Sequence, residues 1–570
     1  MLPPFTRASD FVTDSLNGAD WSQLEPLYKQ LLTRELHCSK CLQRLIDDRS
    51  ELDAVVSEAG SQLYINMTCR TDDPSTKQAY LDFVQNVQPD LKKVSFELDR
   101  RIVSSPFVAQ LDQARYAVFL RDLRAAVELY REENVPLETE ATVLEQRYSE
   151  LCGAMTVNYR GEEKTLPQMS RFLEEPERAV REESWRLVAG RRLADREAVE
   201  DIFDKLVDLR QRIARNAGFA NFRDYAFKAR RRFDYTPADC QAFATGVEMH
   251  VVPALRAIQK QKAELLGLPA LRPWDTAVDP KGRPPLRPFS GGQDLYDRSL
   301  RVFRRMDFQL ADLFTALSSG GCLDLESRKG KAPGGYQANR DRMRIPFIFM
   351  NASGVQRDVE TMVHEAGHAF HSLLSRAEPL FAYRSDIPLE FAEVASMSME
   401  LTSYPFLDEF YSPADADRAR RNHLEGIASI LPWIATIDQF QHWIYTNIGH
   451  TRAQRTQAWL DLMKRFGGAV DWSGLDQQLA HLWHRQLHLF GSPFYYIEYG
   501  IAQLGALQVY GNYRRNPAKA LTDYKAALSL GGSKPLTELF TAAGISFDFS
   551  PARIQSTWKD VSETLAALPA

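Results

Sequence analysis

The residues best placed to do chemistry are His364-Glu365-Ala366-Gly367-His368. On a helix, residues four apart stand one turn apart on the same face, so both imidazoles can reach a single ion. Glu365 follows His364 directly and projects to the side, where it can touch a water on that ion rather than the ion itself. Two imidazoles and a flanking carboxylate are the two ligands and the general base of metal-assisted hydrolysis.

The flanking pattern supports a helix over 355–376. Val359, Met362, Val363, Ala366, Phe370 and Leu373 recur at the i, i+3, i+4, i+7 spacing of one apolar face. Gly367 has no side chain, so another segment can approach closely there. A second helix begins near Asp386 and Pro388 and carries Glu390, Glu393 and Glu400 on roughly one face of an otherwise apolar stretch. Carboxylates on such a helix are costly to bury unless paired or metal-bound. Glu393 is therefore read as the third ligand and Glu400 as the partner of a ligand histidine. His371 extends the histidine face by a turn but reads as a helix-face residue, because the longer motif with a Gly and a later His is absent.

H-E-x-x-H followed after 24 residues by Glu resembles the thimet oligopeptidase and oligoendopeptidase F family of zinc metallopeptidases. The resemblance covers most of the chain and is strongest over 334–508. It implies a mainly α fold: a large helical peptidase enclosing a deep substrate channel, with a small β-sheet beside the metal-binding helix. It implies one Zn2+ per chain, held by His364, His368 and Glu393, and a water activated by Glu365. In the family a histidine followed by spaced tyrosines contacts the scissile peptide, and His488, Tyr496 and Tyr499 resemble that pattern. The implied activity is cleavage of internal bonds in short, unfolded oligopeptides. A dipeptidyl carboxypeptidase has nearly the same ligand spacing and is the nearest alternative; a non-catalytic helical scaffold is the alternative from another class.

Candidates to bind substrate lie around this core. Arg344–Asn351 is the clearest strand, and its proline points to an edge position that could pair with an extended peptide. The same run also reads as an ordinary packed strand. Phe347 and Phe349 on it, Gly334, Gly335 and Tyr336 in the flexible Gly-rich turn before it, and Tyr495 are the residues expected to touch substrate. That turn lacks the spacing of a phosphate-binding loop.

The rest of the chain is consistent with a soluble enzyme. Lys and Arg total 70 against 75 Asp and Glu, a net charge of −5, so no basic footprint for nucleic acid exists. No apolar run reaches the roughly 18 residues of a membrane span. The N-terminus has no secretory h-region, which points to the cytoplasm. Six scattered cysteines exclude a disulfide framework, and Cys38-x-x-Cys41 reads as an incidental pair of thiols. The expected organisation is an N-terminal helical region over 1–190 and a catalytic region over 191–570. The first contains a hairpin where Ala154–Tyr159 alternates before Arg160-Gly161. Lys228–Arg232 reads as a solvated basic run, 268–294 as a mobile or substrate-facing Pro-rich loop, and Trp433 as a core aromatic.

Overall fold

The structure is a computed structural model that describes residues 2–569. Helices make up most of it, joined by two small sheets. The chain divides into two compact units. One gathers the residues up to Glu128 with Leu286–Ala419 and Ala502–Phe547. The other gathers Leu129–Pro285, Arg420–Ile501 and the residues from Asp548 onward. The contacts do not divide near residue 190, because each unit is assembled from three separated stretches.

In the second unit a hairpin forms where the alternation predicts it. Strand β1 (Thr156–Tyr159) pairs antiparallel with β2 (Glu162–Thr165). Arg160 and Gly161 both have positive φ, 55° and 86°, which matches the twist of a two-residue hairpin turn.

In the first unit a three-stranded sheet leads into the histidine helix. Its strands are β3 (Leu323–Glu326), β4 (Tyr336–Ala338) and β5 (Phe347–Ala352), in the order β3-β5-β4. This corrects the expected edge strand. Pro346 lies just before β5, so its missing N–H removes no ladder bond, and β5 is paired on both sides. Phe347 and Phe349 are 8% and 0% exposed, so they are core residues and not substrate contacts.

The Gly-rich turn before β4 is also held more firmly than expected. Lys331 Nζ is buried and donates to the Asp324 carboxylate and to the carbonyls of Asp324, Glu326 and Met350. Asn351 Nδ2 donates to the Ala332 and Gly334 carbonyls. Tyr336 stacks on Phe349 with centroids 4.8 Å apart, and its hydroxyl is 2.5 Å from Thr68 Oγ1.

The Pro-rich loop is likewise pinned at its start. Asp275 is fully buried and accepts from Arg178, Arg181 and the Arg272 backbone.

The histidine helix (Gln356–Leu374) starts where Asp358 accepts hydrogen bonds from the backbone N–H groups of Ser353 and Val355, at 2.7 and 3.0 Å. Its six apolar-face residues are each 3% exposed or less. The glutamate helix (Leu389–Thr402) crosses it at Gly367. A Cβ there would lie 2.6 Å from Ser396 Cα and 2.7 Å from the Ala395 carbonyl oxygen, so the two backbones meet with no room for a methyl group. The same Ala395 carbonyl is anchored by the Tyr524 hydroxyl, which donates to it at 2.7 Å. Gly505 also lets another helix approach Val394.

Gly367→Ala is therefore expected to force these helices apart and to destabilise the protein by about 1–3 kcal/mol, the usual effect of overpacking. Denaturant unfolding of the variant checks this; an unchanged midpoint would contradict the close crossing.

Candidate active site

The two crossing helices bring His364, His368 and Glu393 together, each offering one ligand atom, with all three atoms within 4.8 Å of one another. Glu393 Oε2 lies 3.4 Å from His364 Nε2 and 3.7 Å from His368 Nε2. Bonds of about 2.0–2.2 Å to a tetrahedral ion would set such atoms about 3.3–3.6 Å apart. The two rings are nearly perpendicular, at 83°.

Outer partners hold these ligands. Glu400 Oε1 lies 2.5 Å from His364 Nδ1, which leaves Nε2 facing Glu393. Ser396, one turn beyond Glu393, donates from Oγ to the Glu393 backbone or carboxylate, both at 3.1 Å. The sequence reading missed Ser396 and Tyr524. The i+3 spacing of Ser396 from Glu393 was a usable signal, whereas nothing local marks Tyr524.

Burial governs the charges. It works against a charged His364, but the hydrogen bonds and charges of Glu393 and Glu400 outweigh it and hold the pKa of His364 well above its ordinary value. Burial likewise opposes ionisation of Glu393, yet His364 and His368 hold its pKa below the usual carboxylate value. His368 has no such carboxylate hydrogen bond, and burial drives it down to about 4. Glu365, 7% exposed, is pushed up to about 7, chiefly by burial. It takes a hydrogen bond from the Gln337 backbone, which places β4 beside the candidate base. His371 is 2% exposed, packs edge-on to Phe391 with centroids 5.6 Å apart, and is driven to about 3 by burial. It is a core residue, outside the ligand group.

In the second unit, His488, Tyr495, Tyr496 and Tyr499 form one ring cluster. His488 lies 5.4, 4.9 and 6.0 Å from the three tyrosine rings, centroid to centroid. The Trp433 indole N–H donates to Gln486 Oε1 at 2.9 Å. That bond fixes which way the amide points, so Gln486 Nε2 donates to His488 Nδ1 at 2.8 Å. Nδ1 is then the acceptor, and the proton of the neutral imidazole resides on Nε2. Burial and the charge of Arg230 lower the pKa of His488, which favours this neutral form.

The basic run is part of the same assembly rather than a solvated turn. Arg230 Nε donates to the Pro493 carbonyl at 2.8 Å, and Arg232 donates to Glu498 at 2.9 Å and to the Phe494 carbonyl. Charge density alone concealed this, because the partners are more than 260 residues away in sequence.

Among the described residues, no helix is long and apolar enough to cross a membrane. The sequence profile of peptidase family M3 matches residues 171–289 and 296–557, and that of the peptidase M3 N-terminal domain matches 13–130. Oligopeptidase PepF of Bacillus subtilis is 26% identical over 257 residues, 43% of this chain; the match spans only 36% of that relative's length. Two solved structures are similar over 99% of both chains. PZ peptidase A, solved with an inhibitor, has a TM-score of 0.88 at 29% identity. A putative oligoendopeptidase F has a TM-score of 0.87 at 28% identity.

Two substitutions probe the site. Glu400→Gln is expected to weaken metal binding by about 10- to 100-fold, the usual effect of losing a ligand's outer partner, as read by competition with a chelator. Gln486→Glu keeps an acceptor for Trp433 but removes the amide donor, so His488 Nδ1 is expected to become protonated. Nitrogen-15 NMR of the imidazole distinguishes the two tautomers.

Proposed function

This chain belongs to peptidase family M3, and from that membership we propose that it is a zinc-dependent oligoendopeptidase cutting internal bonds of short, unfolded peptides. The observation that carries the reading is the convergence of His364, His368 and Glu393 beside the buried Glu365. Two imidazoles and a carboxylate form a donor set that suits zinc, and the spacing of their ligand atoms fits it. Zinc held there would supply Lewis acidity and make water a nucleophile near neutral pH.

The chain's own groups then do the following. Glu365 takes the proton of the attacking water and returns it to the leaving amine nitrogen. Burial raises its proton affinity, and such catalysis is typically worth about 100- to 10,000-fold. The resemblance assigns the oxyanion to His488, Tyr496 and Tyr499, and this reading keeps that assignment. A donor on His488 Nε2 and a phenol are the group types required, each worth about 3 kcal/mol when well aimed.

With β5 internal, strand addition falls to the outer edge of β4. The Gln337 backbone already reaches Glu365 there, and Gly334 and Gly335 precede it. Tyr336 would act through its backbone, since its ring is packed on Phe349. Tyr495 is retained as a substrate contact. A cytoplasmic setting suits a peptidase of this substrate range.

Glu365→Gln is expected to keep its metal and lose at least about 100-fold in kcat; wild-type turnover in that variant would remove the assigned base. Tyr496→Phe should lower kcat more than it raises KM, and an unchanged kcat would pass the role to Tyr499. Digestion of one peptide with and without a C-terminal amide separates the two exchanges of substrate end: equal cutting supports an endopeptidase, and loss on amidation supports a dipeptidyl carboxypeptidase.

A further inference from the structure

A second group of metal-ligand residues lies in the second unit, and the peptidase reading uses none of the three. Asp438 and His442 are four residues apart on the long helix Pro413–Thr446, and Cys240 comes from the helix Pro237–His250. One ligand atom from each falls within 4.8 Å of the other two. Cys240 and Asp438 are 0% exposed, and the His442 side chain is 12% exposed.

Asp438 and His442 are poorly served by the protein alone. His442 Nε2 lies 3.3 Å from Asp438 Oδ2 yet makes no hydrogen bond, and Asp438 Oδ1 has no hydrogen-bond partner. The Gln439 amide donates to Oδ2 at 3.2 Å. A fully buried carboxylate with an unused oxygen, facing an imidazole nitrogen with no bond, is costly unless a further group joins them. The 3.3 Å separation is also the N-to-O edge of a tetrahedron with bonds of about 2.0–2.2 Å. The rings of Phe227 and Phe494 stand 5.9 and 5.4 Å from His442 and form an apolar shell around it.

We infer that Cys240, Asp438 and His442 bind a second divalent zinc ion. Thiolate, imidazole and carboxylate are each zinc donors, and a thiolate disfavours magnesium or calcium. Binding displaces the Cys240 thiol proton to solvent and forms a sulfur–zinc bond; no oxidation takes place. The ion has a bracing role. Gln441, between the two helix ligands, accepts from the Phe494 backbone N–H at 2.5 Å. Zinc at this turn would therefore stiffen the segment that leads directly into Tyr495, Tyr496 and Tyr499.

The test uses the full chain, stripped with a chelator and reloaded with zinc or with cobalt(II). Zinc content by mass spectrometry should be two per chain in the wild type and one in both His364→Ala and Cys240→Ser. Cobalt gives an independent reading without relying on a variant's folding. The His364, His368 and Glu393 site has no sulfur, so a thiolate-to-cobalt charge-transfer band in the near ultraviolet reports the Cys240 site. The band should appear in the wild type, persist in His364→Ala and vanish in Cys240→Ser. One zinc per wild-type chain with none in His364→Ala, no sulfur band in the wild type, or a band that survives Cys240→Ser would each overturn the inference. Two zinc ions in the wild type that are insensitive to His364→Ala would instead fault the peptidase site, so the two failures are distinct.

Discussion

The crossing of two helices at Gly367 is the constraint on which the metal-binding geometry depends. The Gly367 Cα faces the backbone of Ala395 and Ser396 with no space for a side chain between them. Only at that separation can imidazoles one turn apart on one helix share a point with a carboxylate on the other. The remaining neighbours serve the same distance. The Tyr524 hydroxyl anchors the Ala395 carbonyl, and Gly505 removes bulk opposite Val394. A rigid, close-packed crossing of this kind holds ligand atoms in place without needing each side chain to be held separately.

Burial sets the electrostatics of the assembled site. Every ionisable group in it is taken from water, so each charge persists only where a specific partner stands beside it. His364 is hydrogen-bonded by two carboxylates and stays basic; His368 feels the charges of Glu393 and Glu400 without a hydrogen bond to either, and burial keeps it neutral. Glu365 has no cation bonded to it, and burial lifts it to about 7, where it can both take and release a proton. The same economy appears at His488, where the direction of one amide, fixed by an indole N–H, decides which imidazole nitrogen carries hydrogen.

The segments first read as loose are held by buried polar groups. Lys331 ties the Gly-rich turn to carbonyls of the flanking strands, Asn351 satisfies carbonyls of the turn itself, Asp275 gathers two arginines and a backbone N–H, and Arg232 reaches Glu498 and Phe494. Proline and glycine content marks where a chain can turn. It does not show whether a distant side chain will then bind the turn's backbone, which is what makes these segments rigid.

Local pattern alone determined the helices and the candidate ligands they carry. Side chains four apart must share a helix face, and an apolar stripe must be buried, so the two imidazoles, the base beside them and the apolar faces of both helices could be read directly. The hairpin at Arg160-Gly161 was legible for the same reason: a tight turn is decided by adjacent residues. Strand order was not, because proline restricts only its own N–H, and the pairing of β5 on both sides depends on β3 and β4 meeting it in space. Nor were the partners of Arg230 and Arg232, the Trp433 indole that orients Gln486 toward His488, or the meeting of Cys240 with Asp438 and His442. Each joins residues by packing between elements rather than by periodicity within one, and no spacing along the chain encodes such a contact.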